Sequence, residues 1–354
     1  MGKRKRPYEA VGPTGMRYRL FGRTGWYISV VAGNESFPAP VAERAMMLGV
    51  NYWHKAQGIR HLPELIRKHN ARKWTMVEFC IDPGKSKAQI VSNFKRRMSA
   101  LGYEYVDWFK MHVRWDDTLF EAFQDLKGEG LVRWLSVSFH AKPQDVRRYV
   151  DSGAIDAVQI MVNPTSGREV RELCSHCLKK GVGVIAMKTM AGGPRRWAKD
   201  PRLVKALKKH FPDIKSIPQA IVKFVLSIPG VSSVVVACRN FDQLRDTVLG
   251  AGMKLTATER RGLEALGAAL RAEFCELCGE CELACPKGLP VREILRMELY
   301  LVAYEDRRAA LEVYKSLPRR ARPEVCDLCG LCETRCPRGI PVVERIRAVI
   351  EALV

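Results

Sequence analysis

One cysteine pattern occurs twice near the end of the chain, and it limits the folds that this sequence can adopt. The run C-x₂-C-x₂-C-x₃-C-P begins at Cys275 and returns at Cys326, 51 positions later. Both copies continue with Lys or Arg, Gly, Leu or Ile, Pro and Val. This spacing is typical of chains that hold [4Fe–4S] clusters. Three closely spaced thiolates wrap one corner of the cube, and the fourth cysteine, held away by its proline, usually binds the other cluster.

This rule predicts two clusters with crossed ligation, in which each copy lends its fourth cysteine to the other. The two predicted ligand sets are Cys275, Cys278, Cys281 and Cys336 for the first cluster, and Cys326, Cys329, Cys332 and Cys285 for the second. Structural zinc is one alternative, although zinc sites usually use paired C-x₂-C knuckles. Disulfides are the other, and they would need an oxidising compartment that nothing else in the chain indicates.

Length and composition indicate a globular chain of two parts. Its 354 residues suit one large domain of roughly 250 residues and a small one. A hydrophobic share of 47% is enough for a real core, and no apolar run reaches the roughly 18 residues that a membrane span needs. The basic start, residues 1–7, lacks the apolar stretch of a secretory signal. With twelve cysteines, eight of them assigned to clusters, we expect a cytoplasmic protein.

The formal charge of +21 raises the question of an acidic partner. The 59 Lys and Arg residues are spread in short runs and form no recognised nucleic-acid-binding motif, so nucleic acid is not the expected partner. A basic face suits an acidic external electron carrier of the ferredoxin or flavodoxin kind, or a redox partner enzyme. A highly charged surface without a partner is the plain alternative.

Short apolar runs alternate with amphipathic helical stretches from about residue 17 to 247. Eight strands are predicted, several of them apolar throughout. This pattern predicts an α/β fold, a (β/α)₈ TIM barrel over residues 17–270. A doubly wound open sheet is the alternative, but residues 31–35 lack the G-x-G-x-x-G of a Rossmann fold. We expect a basic tail over 1–16 and a small helical ferredoxin-type domain with both clusters over 271–354.

Several segments, in order along the chain, resemble the aldo-keto reductase family over roughly residues 17–270. They include Leu20–Gly25, Ser99–Asp107, Gly130–Arg133, Gly183–Lys188 and Arg239–Leu244. With the two cysteine motifs, the whole chain looks like the branch of that family that carries a C-terminal two-cluster domain. The resemblance implies a barrel that reduces carbonyls with NADPH, using an Asp, a Tyr, a Lys and a His.

The sequence departs from that family at three of these four positions. The His is present as His112, but the segment of the Asp reads Asn51–Ala56 here, no Tyr lies between Trp53 and Lys73, and the Lys position falls at Phe79 or Cys80. Because the carboxyl ends of barrel strands carry the chemistry, we expect a site rebuilt from other residues. Its predicted members are His112, His54, Lys55 and Glu78, with His112 and His54 or Lys55 as proton donors and Glu78 paired with Lys55.

A nicotinamide site is implied by the same resemblance. Ser138 and Gln159 would lie near the nicotinamide carboxamide, and Lys188, Arg239 and Gln243 near the phosphates and adenosine of NADP(H). A basic pocket at this place suits a phosphate-bearing ligand. A flavin or another phosphate compound is the competing ligand.

These observations predict an iron–sulfur oxidoreductase of aldo-keto reductase type. Electrons would pass between two [4Fe–4S] clusters and a pocket at the barrel end that takes a small-molecule substrate, with NADP(H) as a cofactor there. The alternative is a catalytically inactive barrel that serves as an electron-transfer subunit for a partner enzyme.

Overall fold

Eleven strands form two sheets in the computed structural model, which describes residues 8–112, 114–192, 201–211, 213, 216–271 and 273–354. In chain order the strands among these residues are β1 (Glu9–Val11), β2 (Arg17–Leu20), β3 (Tyr27–Ser29), β4 (Val31–Ala32), β5 (Tyr52–Trp53), β6 (Met76–Ile81), β7 (Val106–Met111), β8 (Val132–Ser138), β9 (Ala157–Met161), β10 (Gly183–Met187) and β11 (Val231–Val235). Strands β4 to β11 are parallel and form the sheet β4-β11-β10-β9-β8-β7-β6-β5. The predicted barrel is therefore confirmed, and the alternative prediction of a doubly wound open sheet was wrong.

The two ends of this sheet meet at Gly33. A parallel bridge pairs Gly33 with Trp53, and the two backbone hydrogen bonds around it measure 2.9 Å and 2.8 Å. A side chain at residue 33 would clash here, because an added Cβ would lie 2.3 Å from the Trp53 ring. The barrel closes where one residue has no side chain.

Helices connect the strands and cover the barrel. They are α1 (Ala39–Met47), α2 (Leu62–Lys68), α3 (Lys87–Ala100), α4 (Asp117–Gly128), α5 (Pro143–Ser152), α6 (Arg168–Lys180), α7 (Pro201–Lys208), α8 (Ile217–Leu226), α9 (Phe241–Gly252) and α10 (Ala257–Leu270). Ser86 and Thr256 begin α3 and α10 with capping boxes, and Gly153 and Gly181 end α5 and α6 in the left-handed conformation.

The amino-terminal hairpin corrects the tail predicted for residues 1–16. Strand β1 pairs with β2, and Arg19 donates to the carbonyl oxygens of Val231 and Leu226 at 2.5 Å and 2.8 Å. Residues 9–16 therefore belong to the barrel unit. Glu9 makes this arrangement favourable because it pairs with both Arg17 and Arg19. Residues 1–7 lie outside the described residues.

A second core begins at Phe274 and is separate from that of the barrel. It contains α11 (Val291–Glu298), a π-helical turn at Leu299–Ala303, α12 (Arg307–Ser316) and α13 (Val342–Leu353). We refer to residues 273–354 as the cluster region. No helix among the described residues is long and apolar enough to cross a membrane.

The cluster region lies over the carboxyl ends of the barrel strands, which we refer to as the mouth. Arg292 of α11 donates to the carbonyl oxygen of His140 at 2.6 Å, and Lys142 Nζ lies 2.9 Å from Glu280. Arg338 donates to the carbonyl oxygen of Thr165 at 3.2 Å. The end of the barrel that carries chemistry in this fold is therefore covered by the cysteine-rich region.

Replacing Gly33 tests the closure of the barrel. Gly33→Ala should lower the free energy of unfolding by about 1–3 kcal/mol, because the added methyl group overpacks the Trp53 ring. The matched control is Gly128→Ala at the end of α4, where no atom lies within 4 Å of the added Cβ. Thermal unfolding followed by circular dichroism measures both. Equal midpoints for the two variants would contradict this account of the closure.

Candidate functional site

Two charged side chains face each other inside the barrel. Glu78 on β6 and Lys110 on β7 are 0% and 1% exposed, and Lys110 Nζ lies 3.0 Å from Glu78 Oε1. His54 donates from Nδ1 to the same carboxylate at 2.8 Å, since a carboxylate only accepts, and the Tyr52 hydroxyl donates to its other oxygen. Gln159 accepts from Lys110 at 3.2 Å. We refer to these five residues as the interior network.

The interior network keeps Glu78 ionised in spite of its surroundings. Burial opposes the charge, but Lys110 and His54 outweigh it and hold the pKa of Glu78 well below its ordinary value. Burial lowers the pKa of His54, and Lys110 lowers it further, so this imidazole is neutral. Burial and the Glu78 charge raise the pKa of Tyr52. The result is a buried ion pair with neutral hydrogen-bonding groups around it.

The predicted pair between Glu78 and Lys55 was wrong. Lys55 has a φ of 49°, which turns the chain out of β5, and its Nζ lies 3.6 Å from Glu35 instead. His54 enters the barrel beside Glu78, whereas the turn at Lys55 directs that side chain towards Glu35. The true partner, Lys110, was missed, although a lysine in a strand that is otherwise buried is a signal that a counter-ion lies near it.

A second group of polar side chains lies at the mouth. It consists of Lys55, His112, His140 and Lys188 from the barrel, with Arg296 and Tyr300 from the cluster region, and we refer to these six residues as the mouth group. Arg296 Nη1 lies 3.4 Å from His112 Nε2, and Lys188 Nζ lies 5.3 Å from the centroid of the Tyr300 ring. Sequence reasoning missed Arg296 and Tyr300 because they lie in the region that was predicted to bind the clusters.

His112 is held as a hydrogen-bond acceptor towards the mouth. Its Nδ1 donates to Asp82 at 2.6 Å, which leaves the lone pair of Nε2 facing Arg296. Burial, with the charges of Lys55 and Arg296, lowers the pKa of His112 to about 3 against the opposing effect of Asp82. At neutral pH this ring has no imidazolium proton to give. The four predicted catalytic residues thus divide between the interior network and the mouth group.

The residues predicted to bind the nicotinamide are engaged with other partners. Gln159 belongs to the interior network, and the Ser138 hydroxyl faces the sulfur of Met187 at 3.8 Å. At the predicted phosphate end, Arg239 and Gln243 are exposed at the start of α9, where the Gln243 side chain accepts from the backbone N–H of Arg239 at 2.7 Å. A helix start beside an arginine suits a phosphate. The nicotinamide end does not fit.

The cysteines of the two motifs come together in the crossed arrangement. Cys275, Cys278 and Cys281 line one cavity with Cys336 of the other motif. Cys285 of the first motif is close enough to raise the pKa of Cys326, although burial is the larger cause. Apolar side chains, among them Leu277 and Leu295, form much of the wall of the cavity that the first set of cysteines lines.

Backbone N–H groups point at the sulfur atoms in the same way in both motifs. Leu277 and Leu328 donate to the first cysteine of their motif at 3.3 Å and 3.4 Å. Leu289 and Ile340 donate to the fourth at 3.4 Å and 3.3 Å. Such donors stabilise charge on cluster sulfurs. The residues present therefore fit [4Fe–4S] clusters.

Zinc fits this arrangement less well. A zinc ion draws its four ligands to about 2.3 Å from one centre. Among the described residues, no three His, Cys, Asp or Glu side chains converge closely enough for a single metal ion. A four-iron cube, which holds its thiolates further apart, accounts for four cysteines around one cavity.

Two salt bridges cross between the motifs and match each other. Lys287, after the fourth cysteine of the first motif, pairs with Asp327 of the second. Arg338, at the corresponding position of the second motif, pairs with Glu276 of the first. The 51-residue repeat is thus an internal two-fold relation, in which each half lends a cysteine and a cation to the other.

Two comparisons with family models agree with this architecture. The model of the aldo/keto reductase family matches residues 71–267, more than half of the chain, and a 4Fe-4S dicluster domain matches residues 274–340. The chain belongs to the aldo/keto reductase family, and it carries iron–sulfur clusters in a dicluster domain that follows the barrel in the sequence. The resemblance read from the sequence segments is confirmed.

Individual relatives cover parts of the chain. The uncharacterized oxidoreductase YqkF of Bacillus subtilis is 24% identical over 205 residues, 51% of this chain and 66% of that protein. One subunit of the ferredoxin/F(420)H(2)-dependent CoB-CoM heterodisulfide reductase of Methanosarcina acetivorans is 36% identical over 76 residues, 20% of this chain and 40% of that protein. The chain thus spans less than two thirds of either curated relative.

Solved structures support the barrel. Aldo-keto reductase AKR11C1 from Bacillus halodurans in its holo form matches with a TM-score of 0.59 at 20% identity, over 71% of this chain and 96% of that one. Its apo form matches with a TM-score of 0.56 over the same shares. At this identity the likeness concerns the fold alone.

Removing one fourth cysteine tests the crossed ligation. Cys336→Ser should empty the first cluster and leave the second, so that iron falls from roughly eight to roughly four atoms per chain, as two four-iron clusters predict. Cys285→Ser should do the reverse. Iron analysis and electron paramagnetic resonance of the anaerobically purified variants distinguish the two clusters, and Cys238→Ser in the barrel is the control. If each variant lost the cluster of its own motif, ligation would not be crossed.

Removing the charge of Glu78 tests the interior network. Glu78→Gln should cost about 3–5 kcal/mol of unfolding free energy because it leaves the Lys110 charge buried without a partner. Glu78→Gln with Lys110→Met should recover much of this loss. Urea unfolding measures both variants against Glu172→Gln, which breaks the exposed pair with Arg168 and should cost less than about 1 kcal/mol. A double variant less stable than Glu78→Gln alone would contradict the prediction.

The pH dependence gives a second readout of the same pair. The folded pKa of Glu78 is lowered, so its stabilisation is present above the ordinary carboxyl pKa and is lost as the pH falls below it. Glu78→Gln should therefore flatten the acid side of the stability curve.

Proposed function

We propose that this chain is an iron–sulfur oxidoreductase in which electrons pass between two [4Fe–4S] clusters and a substrate at the mouth group. The observation that carries the proposal is the position of Arg292. Its side chain lines the cavity that Cys275, Cys278, Cys281 and Cys336 share. It also donates to the carbonyl oxygen of His140 at the mouth. A single residue therefore spans from the first cluster site to the place where this fold carries its chemistry.

The two cysteine sets would form a relay from solvent to the barrel. Cys275, Cys278, Cys281 and Cys336 would hold the inner cluster, and Cys326, Cys329, Cys332 and Cys285 the outer one. Each cluster, when bound, supplies single-electron transfer. Each set has one buried cysteine, Cys281 in the inner set and Cys332 in the outer set, but Cys329 of the outer set is exposed and no cysteine of the inner set is. This difference supports entry of electrons on the outer side.

The barrel residues would act in two layers. Glu78 with Lys110 fixes His54 from inside the barrel, and Lys55 and His112 line the mouth above it. Asp82 orients His112 so that its Nε2 accepts a hydrogen bond from the mouth side. Because the nicotinamide end of the predicted NADP(H) site does not fit, the proposed electron route does not depend on a nicotinamide.

The external electron donor would be a small acidic carrier of the ferredoxin kind. Arg319, Arg320 and Arg335 are exposed and lie close in sequence to Cys326 or Cys332 of the outer set, and a basic surface steers an acidic partner. The name of the heterodisulfide reductase relative includes ferredoxin. That relative is a subunit of a larger enzyme, and this favours a second candidate function, in which the barrel is inactive and the chain passes electrons to a partner enzyme.

An optical experiment tests the proposed electron source. Reduced ferredoxin should bleach the broad visible absorbance of the anaerobic protein, as dithionite does, whereas NADPH and NADH should not. Arg335→Glu should slow bleaching by ferredoxin, and the rate should fall with added salt because the charges are exposed. Arg308→Glu on α12, which is also exposed but is further in sequence from the cysteine motifs, is the control.

Two outcomes would revise the proposal. Rapid bleaching by NADPH would show that a nicotinamide site forms in spite of the geometry. Bleaching by ferredoxin with a stoichiometric partner enzyme in the preparation, and no turnover without it, would favour the electron-transfer subunit.

A further inference from the structure

Three cations from both parts of the molecule surround the phenol of Tyr300. Lys55 follows β5, Lys188 follows β10, and Arg296 lies on α11. Arg296 is close enough to the Tyr300 phenol to interact with it electrostatically, and Lys188 Nζ lies 5.3 Å from the ring centroid. Burial raises the pKa of Tyr300, but Lys188, Arg296 and Lys55 together outweigh it and lower the pKa. The phenol therefore lies in a strongly positive field.

The three cations around this phenol differ in their carboxylate partners. Lys55 pairs with Glu35 at 3.6 Å, and Arg296 pairs with Glu293 of its own helix. Lys188 has no carboxylate at ion-pair distance in the part of the chain that the structure describes. Burial lowers the pKa of Lys188, with smaller contributions from Arg296 and Lys55, whereas Tyr300 and Glu293 act in the opposite direction. Of the three cations around the phenol, Lys188 is thus the one without a carboxylate partner among the described residues.

Hydrogen-bond donors are also left without partners at this interface. Among the described residues, Arg296 Nε, Arg292 Nε and the Tyr304 hydroxyl are buried and make no hydrogen bond, and His140 Nδ1 is unpaired as well. One acceptor, Glu293 Oε1, is also unpaired. Each unpaired buried group is costly, and since donors are in surplus, a ligand rich in acceptors would relieve that cost.

The backbone departs from regular helix where it presents Tyr300. Residues Leu299–Ala303 form a π-helical turn between α11 and α12. Single π turns are rare and frequently occur at functional sites. Tyr300 is half-buried there, whereas its neighbour Leu299 is buried. The irregular turn thus supports a role for Tyr300 beyond packing.

We propose that the mouth group binds the single carboxylate of a small organic acid. Lys188 and Arg296 would face the carboxylate as cations, and the Tyr300 hydroxyl would donate to one of its oxygens. One unpaired positive charge matches one carboxylate, whereas a phosphate dianion would bring a second, unbalanced negative charge. The inference deepens the proposed function, on which it rests for the assignment of this ligand as the substrate class.

Calorimetry on the full-length, cluster-loaded protein under anaerobic conditions tests the site. The probes are acetate, propionate, butyrate and benzoate, with acetamide, propionamide, butyramide and benzamide as uncharged partners of the same shape and inorganic phosphate as the dianion. The carboxylates should bind and raise the midpoint of thermal unfolding. The amides should not bind, and phosphate should bind more weakly than the best carboxylate.

Two variants locate the binding. Lys188→Met keeps the length of the side chain and should weaken carboxylate binding at least about tenfold, the scale of a lost charged hydrogen bond. Tyr300→Phe should weaken it several-fold. Lys142→Met removes a different cation of the same interface, paired with Glu280 at 2.9 Å, and should leave binding unchanged. Circular dichroism and iron content confirm that each variant is folded and loaded.

Three outcomes would overturn the inference. They are the absence of binding by any carboxylate at millimolar concentration, equal binding of the amides, and binding that is undiminished in both Lys188→Met and Tyr300→Phe. Calorimetry involves no electron transfer, so its outcome is independent of the bleaching experiment. Carboxylate binding without reduction by ferredoxin would refute the proposed function and leave the binding site standing.

Discussion

Arg296 is the residue on which the arrangement at the mouth depends. It is 5% exposed, it pairs with Glu293 on its own helix, and it reaches His112 at the end of β7 and Tyr300 in the next turn. A buried guanidinium is tolerated only where most of its donors have partners. Its contacts with His112 and Tyr300 therefore favour one placement of α11 over the barrel. Without that placement the inner cysteines would not lie beside the carboxyl ends of the strands.

The interior network shows how the barrel differs from the family pattern that its sequence resembles. A buried carboxylate, Glu78, is balanced by Lys110 on β7, two residues before His112, which follows that strand. The pair is enclosed by the barrel wall, while the cations nearest to solvent face the cluster region. The charged side chains of this barrel form two groups. One is the inner pair of Glu78 and Lys110, and the other is the mouth group, which includes residues of the cluster region.

Much of the architecture could be predicted from the residue order. Apolar strands such as β7 and the glycines that end helices are local signals, and the barrel follows from their number and alternation. The 51-residue repeat likewise predicted the crossed cysteines, because the spacing of cysteines in each motif is typical of cluster ligands. The comparison with the family pattern led to the hypothesis of a rebuilt site around His54, which stays a prediction.

The partners of those residues could not be predicted in the same way. Lys110 meets Glu78 only because parallel strands place residues that are distant in sequence side by side. The choice of Lys55 as partner failed because the chain turns after β5, where Lys55 adopts the left-handed conformation with a φ of 49°. Tyr300 and Arg296 were overlooked because their role depends on how two separately folded regions dock.

The sequence by itself determined the class of fold, the cluster ligands as a set and the loss of the family's usual catalytic residues. These depend on spacing, on periodicity and on the presence or absence of residue types, all of which are local. Only the tertiary structure decided which charges are paired and which part of the chain covers the barrel mouth. Those features depend on distances between side chains from different strands and regions, and the free energy of a buried charge depends on its nearest partners rather than on its neighbours in sequence.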